Sequence, residues 1–225
     1  MNNDAMDYRD KENAIPRALS LNELAYLRFK QALITLSYKP GDYLNTAQVM
    51  NDLEMGRTPI NQAIHRLASE GLLQVIPRKG VMVAPLSIDD ALELIEVRLA
   101  NESLCISLAC QRVTDSDIAA LRELNQQIAQ ASEQRDRIDM MLLDRQFHHL
   151  LASIAGNSRL IDILSVIHAQ AQRFWATTLS RESHMQEVIT EHNAIIDALE
   201  QQDLQAADAA TRAHILSFKR ALLAG

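Results

Sequence analysis

The segment GRTPINQAIHRLASEGLL, at positions 56–73, constrains the fold more than any other part of the chain. Within it, Ile60, Ile64 and Leu67 recur at spacings of four and three, which predicts a short helix with one buried stripe. Pro59 fits the first turn of that helix, because the N–H that proline lacks would have no intrahelical partner there. We therefore predict a helix that packs through one face and presents polar side chains on the other.

The polar face of this predicted helix carries cations and amide side chains. Arginine, asparagine and glutamine hydrogen-bond to base edges in the major groove, and a short helix is a common way to place them there. We therefore predict that this helix reads DNA. The predicted contacts from this segment are Arg57, Thr58, Asn61, Gln62, His65 and Arg66.

Two further helices are predicted upstream. Ser20 can cap a first helix that places Leu24, Leu27 and Ile34 on its inner face. Asn45 can open a second, shorter helix. Two short helices across a tight link, the second of them polar on its outer face, form a helix-turn-helix pattern.

A β-hairpin is predicted directly after these helices. Residues 72–76 and 81–84 are short β-prone runs, and the Pro-Arg-Lys-Gly sequence between them makes a turn with two cations. An ordinary solvated turn is the alternative. A basic tip that follows a helix-turn-helix favours contact with the phosphate backbone or the minor groove, so Arg78, Lys79 and Gly80 join the predicted DNA contacts.

The net charge of −7 at first argues against a protein that binds nucleic acid, but the charge is unevenly distributed. Residues 18–85 carry seven basic and five acidic side chains, whereas residues 86–225 carry twelve basic and twenty acidic ones. A modestly basic module on an acidic body is compatible with DNA binding through one face. The electrostatic contribution to affinity is expected to be modest.

The rest of the sequence shows helical periodicity alone and predicts about six helices joined by short links. The predicted fold is mainly α, with an N-terminal winged helix-turn-helix followed by an all-α antiparallel helical bundle. The predicted divisions are a flexible tail over residues 1–17, a DNA-binding domain over residues 18–85 and a helical effector-binding and dimerisation domain over residues 86–225.

Targeting signals and cysteine usage indicate the compartment. No apolar run approaches the roughly 20 residues that span a bilayer, and the N-terminus lacks the apolar core of a secretory signal. The sequence therefore predicts a cytoplasmic protein with no membrane partner. Cys105 and Cys110 lie on one predicted helix and are expected to be buried thiols rather than a disulfide.

Four metal-competent side chains lie on the predicted inner faces of three helices. Asp144 and His148 are four residues apart and share one face of a helix. His192 lies among isoleucines and leucine at helical spacing, and His214 lies in a stripe of small residues. One aspartate and three imidazoles suit a divalent ion, first Zn, with Ni, Mn or Fe also compatible. The alternative is four hydrogen-bonded core residues, but buried ionisable groups without a shared partner are costly.

Two arginines are candidate anion clamps in the same region. Arg98 lies in the first predicted helix of the bundle, and Arg173 precedes Phe174 and Trp175. Beside a metal with open coordination positions, a guanidinium can hold a carboxylate through two hydrogen bonds. For Arg173, a surface or interhelical salt bridge is the preferred alternative.

These patterns resemble the GntR family of transcription regulators, in the FadR-like group whose C-terminal part is called the FCD domain. The sequences similar to the family's DNA-binding signature are PGDYL at 40–44, RTP at 57–59, LASEGL at 67–72 and PRKG at 77–80. The sequences similar to the metal-binding branch of the FCD domain are DRQFH at 144–148, GN at 156–157, EH at 191–192 and AH at 213–214. Arg98 and Glu102 match a further motif in the first helix of that domain.

The resemblance implies a homodimer that binds a palindromic double-stranded DNA operator and responds to a small carboxylate effector. It implies that a divalent metal ion is held by Asp144, His148, His192 and His214. The expected effector-binding residues are Arg98, Glu102 and Arg173.

The chain departs from the family pattern in its predicted DNA contacts. Ala47 stands where the family usually has arginine, and Asn61-Gln62 stands where it usually has Arg-Glu. Arginine favours guanine, whereas asparagine and glutamine favour adenine. We therefore predict an operator half-site shifted toward A·T at the positions that face Asn61 and Gln62.

The preferred function is a DNA-binding transcription regulator, a repressor, whose operator binding is modulated by a small organic acid at the metal site. The effector would change the spacing of two recognition helices, which must lie about one helical turn, roughly 34 Å, apart. One alternative is a metalloenzyme that uses the Asp/His₃ site, although the bundle shows no clear additional general base. The other is a constitutive DNA-binding protein with a purely structural metal.

Overall fold

The computed structural model describes residues 19–178 and 182–223, with side chains over residues 19–177 and 186–223. The flexible tail expected over residues 1–17 lies outside the described residues. Packing divides the chain into two compact units, Met1–Pro85 and Leu86–Gly225.

The first unit combines helices with a small sheet. Its elements in chain order are α1 (Leu21–Ile34), β1 (Tyr43–Leu44), α2 (Thr46–Asp52), α3 (Arg57–Ser69), β2 (Leu73–Ile76) and β3 (Gly80–Val83). The strands are antiparallel, in the order β1-β3-β2. This arrangement is the predicted winged helix-turn-helix.

The two longer helices of this unit pack through stripes at helical spacing. Ile60, Ile64 and Leu67 of α3 are buried as predicted. The predicted inner face of α1 is wrong for Leu27, which is 38% exposed. Ile34 is buried as predicted. The buried stripe of α1 also includes Tyr26, Phe29 and Leu33, which recur at spacings of three and four on one helix face.

A buried polar network joins α1 to the end of α3. Lys30, which is 1% exposed, donates from Nζ to the Tyr26 hydroxyl at 2.9 Å and lies 2.9 Å from Glu70 Oε2. The Tyr26 hydroxyl donates to Glu70 Oε1 at 2.7 Å. Removing one partner of a buried ion pair is strongly destabilising, so this network fixes α3 against α1.

The hairpin ends in a tight turn in which Ile76 pairs with Gly80 across the strands. Arg78 has φ +65° and Gly80 has φ +103°, both in the left-handed region. Each predicted strand is confirmed to within one residue at its ends. β1 was not predicted; its Tyr43 pairs with Met82 and adds a third strand.

The second unit is entirely helical over the residues that the structure describes. Its helices are α4 (Ile88–Arg112), α5 (Asp115–Glu133), α6 (Arg137–Ala155), α7 (Ser158–Thr178), α8 (Glu182–Glu200) and α9 (Leu204–Leu223). Ser87, Thr114 and Asp136 cap α4, α5 and α6, because each side chain accepts a backbone N–H of the first turn. The fold class predicted from the sequence is confirmed.

The end of α6 needs a left-handed residue. Gly156 supplies it with φ +62°, and the Arg112 guanidinium at the end of α4 donates to the carbonyl of Ala155. Asn157 then accepts the N–H of Leu160 at 3.2 Å and starts α7. This corner sets where α6, which carries two of the candidate metal ligands, stops.

Two further sequence predictions concern membrane-spanning segments and the two cysteines. None of the described helices is both long and apolar enough to cross a membrane. Cys105 and Cys110 are buried and are not joined in a disulfide, as expected. Burial raises the pKa of the Cys105 thiol to about 12, so this thiol is unreactive at neutral pH.

Candidate metal centre and DNA-binding surface

Asp144, His148, His192 and His214 converge in the core of the second unit. α6 supplies the first two from adjacent turns, α8 supplies His192 and α9 supplies His214. The Nε2 atoms of His148 and His214 are 3.2 Å apart. Asp144 Oδ1 lies 3.5 Å from Nε2 of His192 and 3.8 Å from Nε2 of His148. Three helices thus bring one carboxylate and three imidazoles to a single point.

Two of these imidazoles are held from outside through their Nδ1 atoms. His192 Nδ1 lies 3.3 Å from Asn125 Oδ1, and His214 Nδ1 lies 2.9 Å from Glu191 Oε2. An acceptor at Nδ1 keeps the ring proton there and leaves the Nε2 lone pair for an ion. Asn125 is itself fixed, because its Nδ2 donates to the carbonyl of Ile189 at 3.0 Å.

Burial keeps two of the imidazoles in the form that binds metal. It lowers the pKa of His148 and of His192 well below the usual value, so both rings are neutral at pH 7. Burial also raises the pKa of Asp144 to about 6, with His214 and Arg98 acting in the opposite direction. Asp144 therefore remains largely ionised at neutral pH, and a bound cation would favour that form further.

The donor set fits a divalent metal ion. His192 is fully buried, and its Nε2 has no hydrogen-bond partner among the described residues. A buried nitrogen left in this way costs free energy unless another group satisfies it. Imidazole nitrogens and a carboxylate oxygen are the donors that zinc and neighbouring divalent transition metals prefer.

A cavity opens beside the converging residues. It contains about 460 Å³ of space, counting the open solvent at its mouth. One part of its lining is charged or polar and another is aromatic or aliphatic. The described lining includes Arg98, Asp144, His148, His214, Trp175 and Phe218.

Arg98 reaches this cavity from α4 and is held there by Glu102. Its Nε donates to Glu102 Oε1 at 2.8 Å, and His168 Nε2 lies 3.2 Å from the same oxygen. Burial pushes the pKa of Glu102 upward, but Arg98, His168 and His148 together hold it well below its usual range. Glu102 is therefore an ionised anchor, and its Oε2 lies 3.7 Å from His148 Nδ1.

Arg173 occupies a different position from Arg98. It is 2% exposed, and it is not among the described residues that line the cavity. Burial lowers its pKa to about 10, so it remains protonated at neutral pH. The described lining of the cavity therefore includes Arg98 but neither Glu102 nor Arg173, and Glu102 adjoins the cavity through its contacts with Arg98 and His148.

The predicted DNA contacts of α3 are all exposed on one face of the first unit. Arg66 differs from the others, because its Nη1 lies 2.9 Å from Glu23 Oε2 and its guanidinium stacks 3.4 Å from the centroid of the Tyr26 ring. Its side chain therefore packs back against α1. At the hairpin, Arg78, Lys79 and Gly80 are exposed at the tip.

Two family profiles match these two structural parts. The profile of bacterial regulatory proteins of the gntR family matches residues 21–83, and the FCD domain profile matches residues 93–217. The chain belongs to the GntR family and carries an FCD domain. It is accordingly a DNA-binding transcriptional regulator, and the resemblance found in the sequence is confirmed.

Curated relatives and solved structures agree with this assignment. This GntR regulator is 30% identical over 158 residues to the Nta operon transcriptional regulator of Aminobacter aminovorans, covering 68% of this chain and 74% of that one. It is 25% identical over 195 residues to the HTH-type transcriptional repressor RspR of Escherichia coli, covering 87% and 86%. The structure of E. coli McbR/YncC has the same fold, with a TM-score of 0.84 and 22% identity over 92% and 98% of the two chains.

Sequence reasoning missed several polar residues of this GntR regulator's site. His168 and Gln172 both line the cavity, together with Ala171 and Trp175 of the same helix. Their spacing of three and four residues is that of one helix face, so this signal was present in the sequence. Asn125 gave no such signal, because its role depends on how α5 packs against α8.

Proposed function

We propose that this regulator is a metal-dependent repressor whose operator affinity is changed by a small carboxylate. The observation that carries the proposal is the convergence of His148, His192 and His214 with Asp144 beside a cavity that also contains Arg98. The name of RspR, a transcriptional repressor that is 25% identical to this chain, supports repression. We also propose that the regulator is cytoplasmic, where it would bind DNA.

The proposed metal ligands are Asp144 Oδ1 and the Nε2 atoms of the three histidines. Zinc is the first choice for this donor set, with nickel, manganese and iron as alternatives. A bound ion would supply a Lewis acid to which a carboxylate oxygen can bind. The chain's own contribution is orientation, since Asn125 and Glu191 hold two of the rings with their Nε2 atoms turned inward.

Arg98 is the proposed clamp for the effector carboxylate. Its Nε is used by Glu102, so its terminal amino groups can hold a carboxylate in the cavity through two parallel hydrogen bonds. Glu102 is a positioning residue in this scheme. Arg173 is a weaker candidate than Arg98, because the described lining of the cavity does not include it.

The proposed DNA-binding form is a homodimer on a palindromic operator. Two α3 helices would enter successive major grooves, about one helical turn apart, and the effector would act by changing that spacing. The base contacts are proposed for the exposed face of α3, and phosphate contacts for the hairpin tip at residues 78–80. Arg66 would contact DNA only after leaving Glu23.

The central test compares His148→Ala with its matched control His149→Ala. Both histidines lie on α6, but His148 is buried among the proposed ligands whereas His149 is exposed. We expect His148→Ala to lose bound metal in elemental analysis and to lose the response of operator affinity to carboxylates, measured by fluorescence anisotropy. The control should retain both.

Two results would contradict specific parts of this proposal. Retention of the carboxylate response by His148→Ala would remove the metal from the switch. If chelation lowered the melting temperature while no carboxylate changed the operator affinity of native protein, the metal would be purely structural. Selection of bound sequences from a random pool tests the operator separately; a guanine-centred half-site opposite Asn61 and Gln62 would refute the predicted A·T preference.

A further inference from the structure

A second group of buried, metal-competent side chains includes His148 but none of the other proposed ligands. Its other members are Glu102 on α4 and His168 on α7, and all three residues are 5–9% exposed. Each residue can offer one donor atom, and these three atoms lie within 4.8 Å of one another. The group therefore shares one imidazole with the proposed metal centre and brings in two helices that supply no ligand to it.

The two ring nitrogens of His148 face the two groups of ligands. Its Nε2 lies 3.2 Å from Nε2 of His214, whereas its Nδ1 lies 3.7 Å from Oε2 of Glu102. A separation of 3.7 Å is too long for a hydrogen bond, and this nitrogen has no other partner in the part of the chain that the structure describes. A buried nitrogen in this state indicates a missing partner between His148 and Glu102.

The dimensions and the donor types of this group fit a divalent transition metal. Donor atoms about 2.1 Å from a tetrahedral zinc ion lie roughly 3.4 Å from one another. The distance of 3.2 Å between His168 Nε2 and Glu102 Oε1 and the distance of 3.7 Å at His148 Nδ1 lie on either side of that value. Two imidazoles and one glutamate are an established zinc donor set that leaves one position for water. His148 and His168 both line the cavity, which gives an ion a route to them.

The charges around this group can accommodate a second cation. Arg98 is a like charge, but its Nε already donates to Glu102 Oε1, which leaves Oε2 for the ion. When a first ion occupies Nε2 of His148, the ring proton lies on Nδ1. A second ion replaces that proton, which passes to solvent, and no oxidation state changes. The resulting imidazolate is negative, so it offsets the repulsion between the two cations.

We propose that the helical domain holds two divalent metal ions bridged by the His148 ring, the second of them bound by Glu102 Oε2, His168 Nε2 and His148 Nδ1. This inference rests on the proposed metal centre for the first ion and goes beyond it, since the proposed function needs one ion alone. It requires no effector.

The first test is the zinc stoichiometry of full-length protein that has been stripped with a chelator. The protein is dialysed to equilibrium against buffered free zinc, and bound metal is measured by elemental analysis. Native protein should take up about two zinc ions per chain. His168→Phe, which keeps a ring but removes the donor atom, should take up one and hold it with an affinity within a few-fold of the tighter native ion. The matched control His149→Ala, at an exposed histidine of α6, should keep both ions.

Copper(II) tests the bridge itself. An imidazolate bridge couples the unpaired electrons of two copper ions, so the electron paramagnetic resonance signal per ion should fall when native protein takes up its second equivalent. His168→Phe should show no such fall. A surface-bound ion far from His148 would leave the signal per ion unchanged, and that result in native protein would overturn the proposed bridge.

The outcomes separate this inference from the metal centre on which it rests. One zinc ion per native chain overturns the inference and leaves the proposed centre intact. Two ions in both native protein and His168→Phe place the second ion elsewhere and also overturn it. Failure of native protein to bind any zinc overturns both. If His168→Phe does not fold, Glu102→Gln, which removes the ligand charge at constant size, should lose the second ion instead; if neither variant folds, the native zinc count and copper signal decide.

Discussion

Replacing Asn125 with leucine should weaken zinc binding although Asn125 is not a proposed ligand. Its Oδ1 is the acceptor 3.3 Å from Nδ1 of His192, a side chain that is fully buried and so has no access to substituting water. Without that acceptor, the ring proton of the metal-free protein should move to Nε2, which lies 3.5 Å from Asp144 Oδ1. A metal ion must then displace that proton and leave Nδ1–H unsatisfied.

The expected loss follows from the cost of one buried unsatisfied donor, about 1–3 kcal/mol. This corresponds to roughly a 5- to 150-fold lower zinc affinity, which includes the range of about 10- to 100-fold typical for removing an outer partner of a ligating histidine. The assay is competition with a chromophoric chelator, and the absorption spectrum of the cobalt-substituted protein reports whether the ligand geometry changes.

Two further variants test whether the loss of zinc affinity comes from the missing acceptor. Asn125→Asp keeps an acceptor for His192 and should bind zinc within a few-fold of the native affinity, even though it loses the amide that donates to the carbonyl of Ile189 and to Asn193 Oδ1. Gln126→Leu, at an exposed neighbour on α5, should have no effect. Native zinc affinity in a folded Asn125→Leu protein would show that His192 does not depend on this contact for its orientation.

Three further predictions concern stability and DNA binding. Gly156→Ala should lower the free energy of unfolding by about 1–2 kcal/mol and the melting temperature by a few degrees. Gly156 has φ +62°, and an added Cβ would lie 3.1 Å from Arg112 Nη1. An unchanged melting curve would contradict this prediction. Lys30→Met should lower the free energy of unfolding by about 3 kcal/mol in chemical denaturation, because Glu70 then keeps only the half-exposed Arg66, 3.5 Å away, as a cationic partner. Lys30→Met/Glu70→Leu should lower it by less, because the buried carboxylate is also removed. A double variant less stable than the single one would refute that account. Arg57→Ala should weaken operator binding by about 1–3 kcal/mol in anisotropy titrations, with little change in binding to random DNA, if Arg57 contacts a base. Equal losses of affinity for operator and random DNA would indicate a phosphate contact instead.

The features that could be predicted from the sequence are those in which side chains recur at helical spacing within one segment. The buried stripe of α3 needs only Ile60, Ile64 and Leu67 in one helix, so spacing was sufficient. Asp144 and His148 are likewise neighbours on one helix face. Helical stripes also indicated His192 and His214, the family resemblance implied that all four residues share one metal ion, and the structure places both histidines beside Asp144 and His148.

The features that sequence could not predict arise from packing between distant segments. β1 is a two-residue strand that exists because Tyr43 and Leu44 find a partner in β3, far along the chain. Glu191 adjoins His192 in sequence, yet its carboxylate holds the imidazole of His214 on the next helix. Leu27 was wrongly placed on the inner face of α1 for a related reason, since packing against α3 decides which side chains of α1 are buried.

The candidate metal centre and the cavity share part of their lining, so metal binding and effector binding would be coupled. Asp144, His148 and His214 belong to both, so a carboxylate would complete its binding site only on protein that has already taken up an ion. The proposed switch is then a conjunction of two inputs. A cell depleted of metal would become insensitive to the acid, and by reciprocal linkage the acid would make the protein retain its metal more tightly.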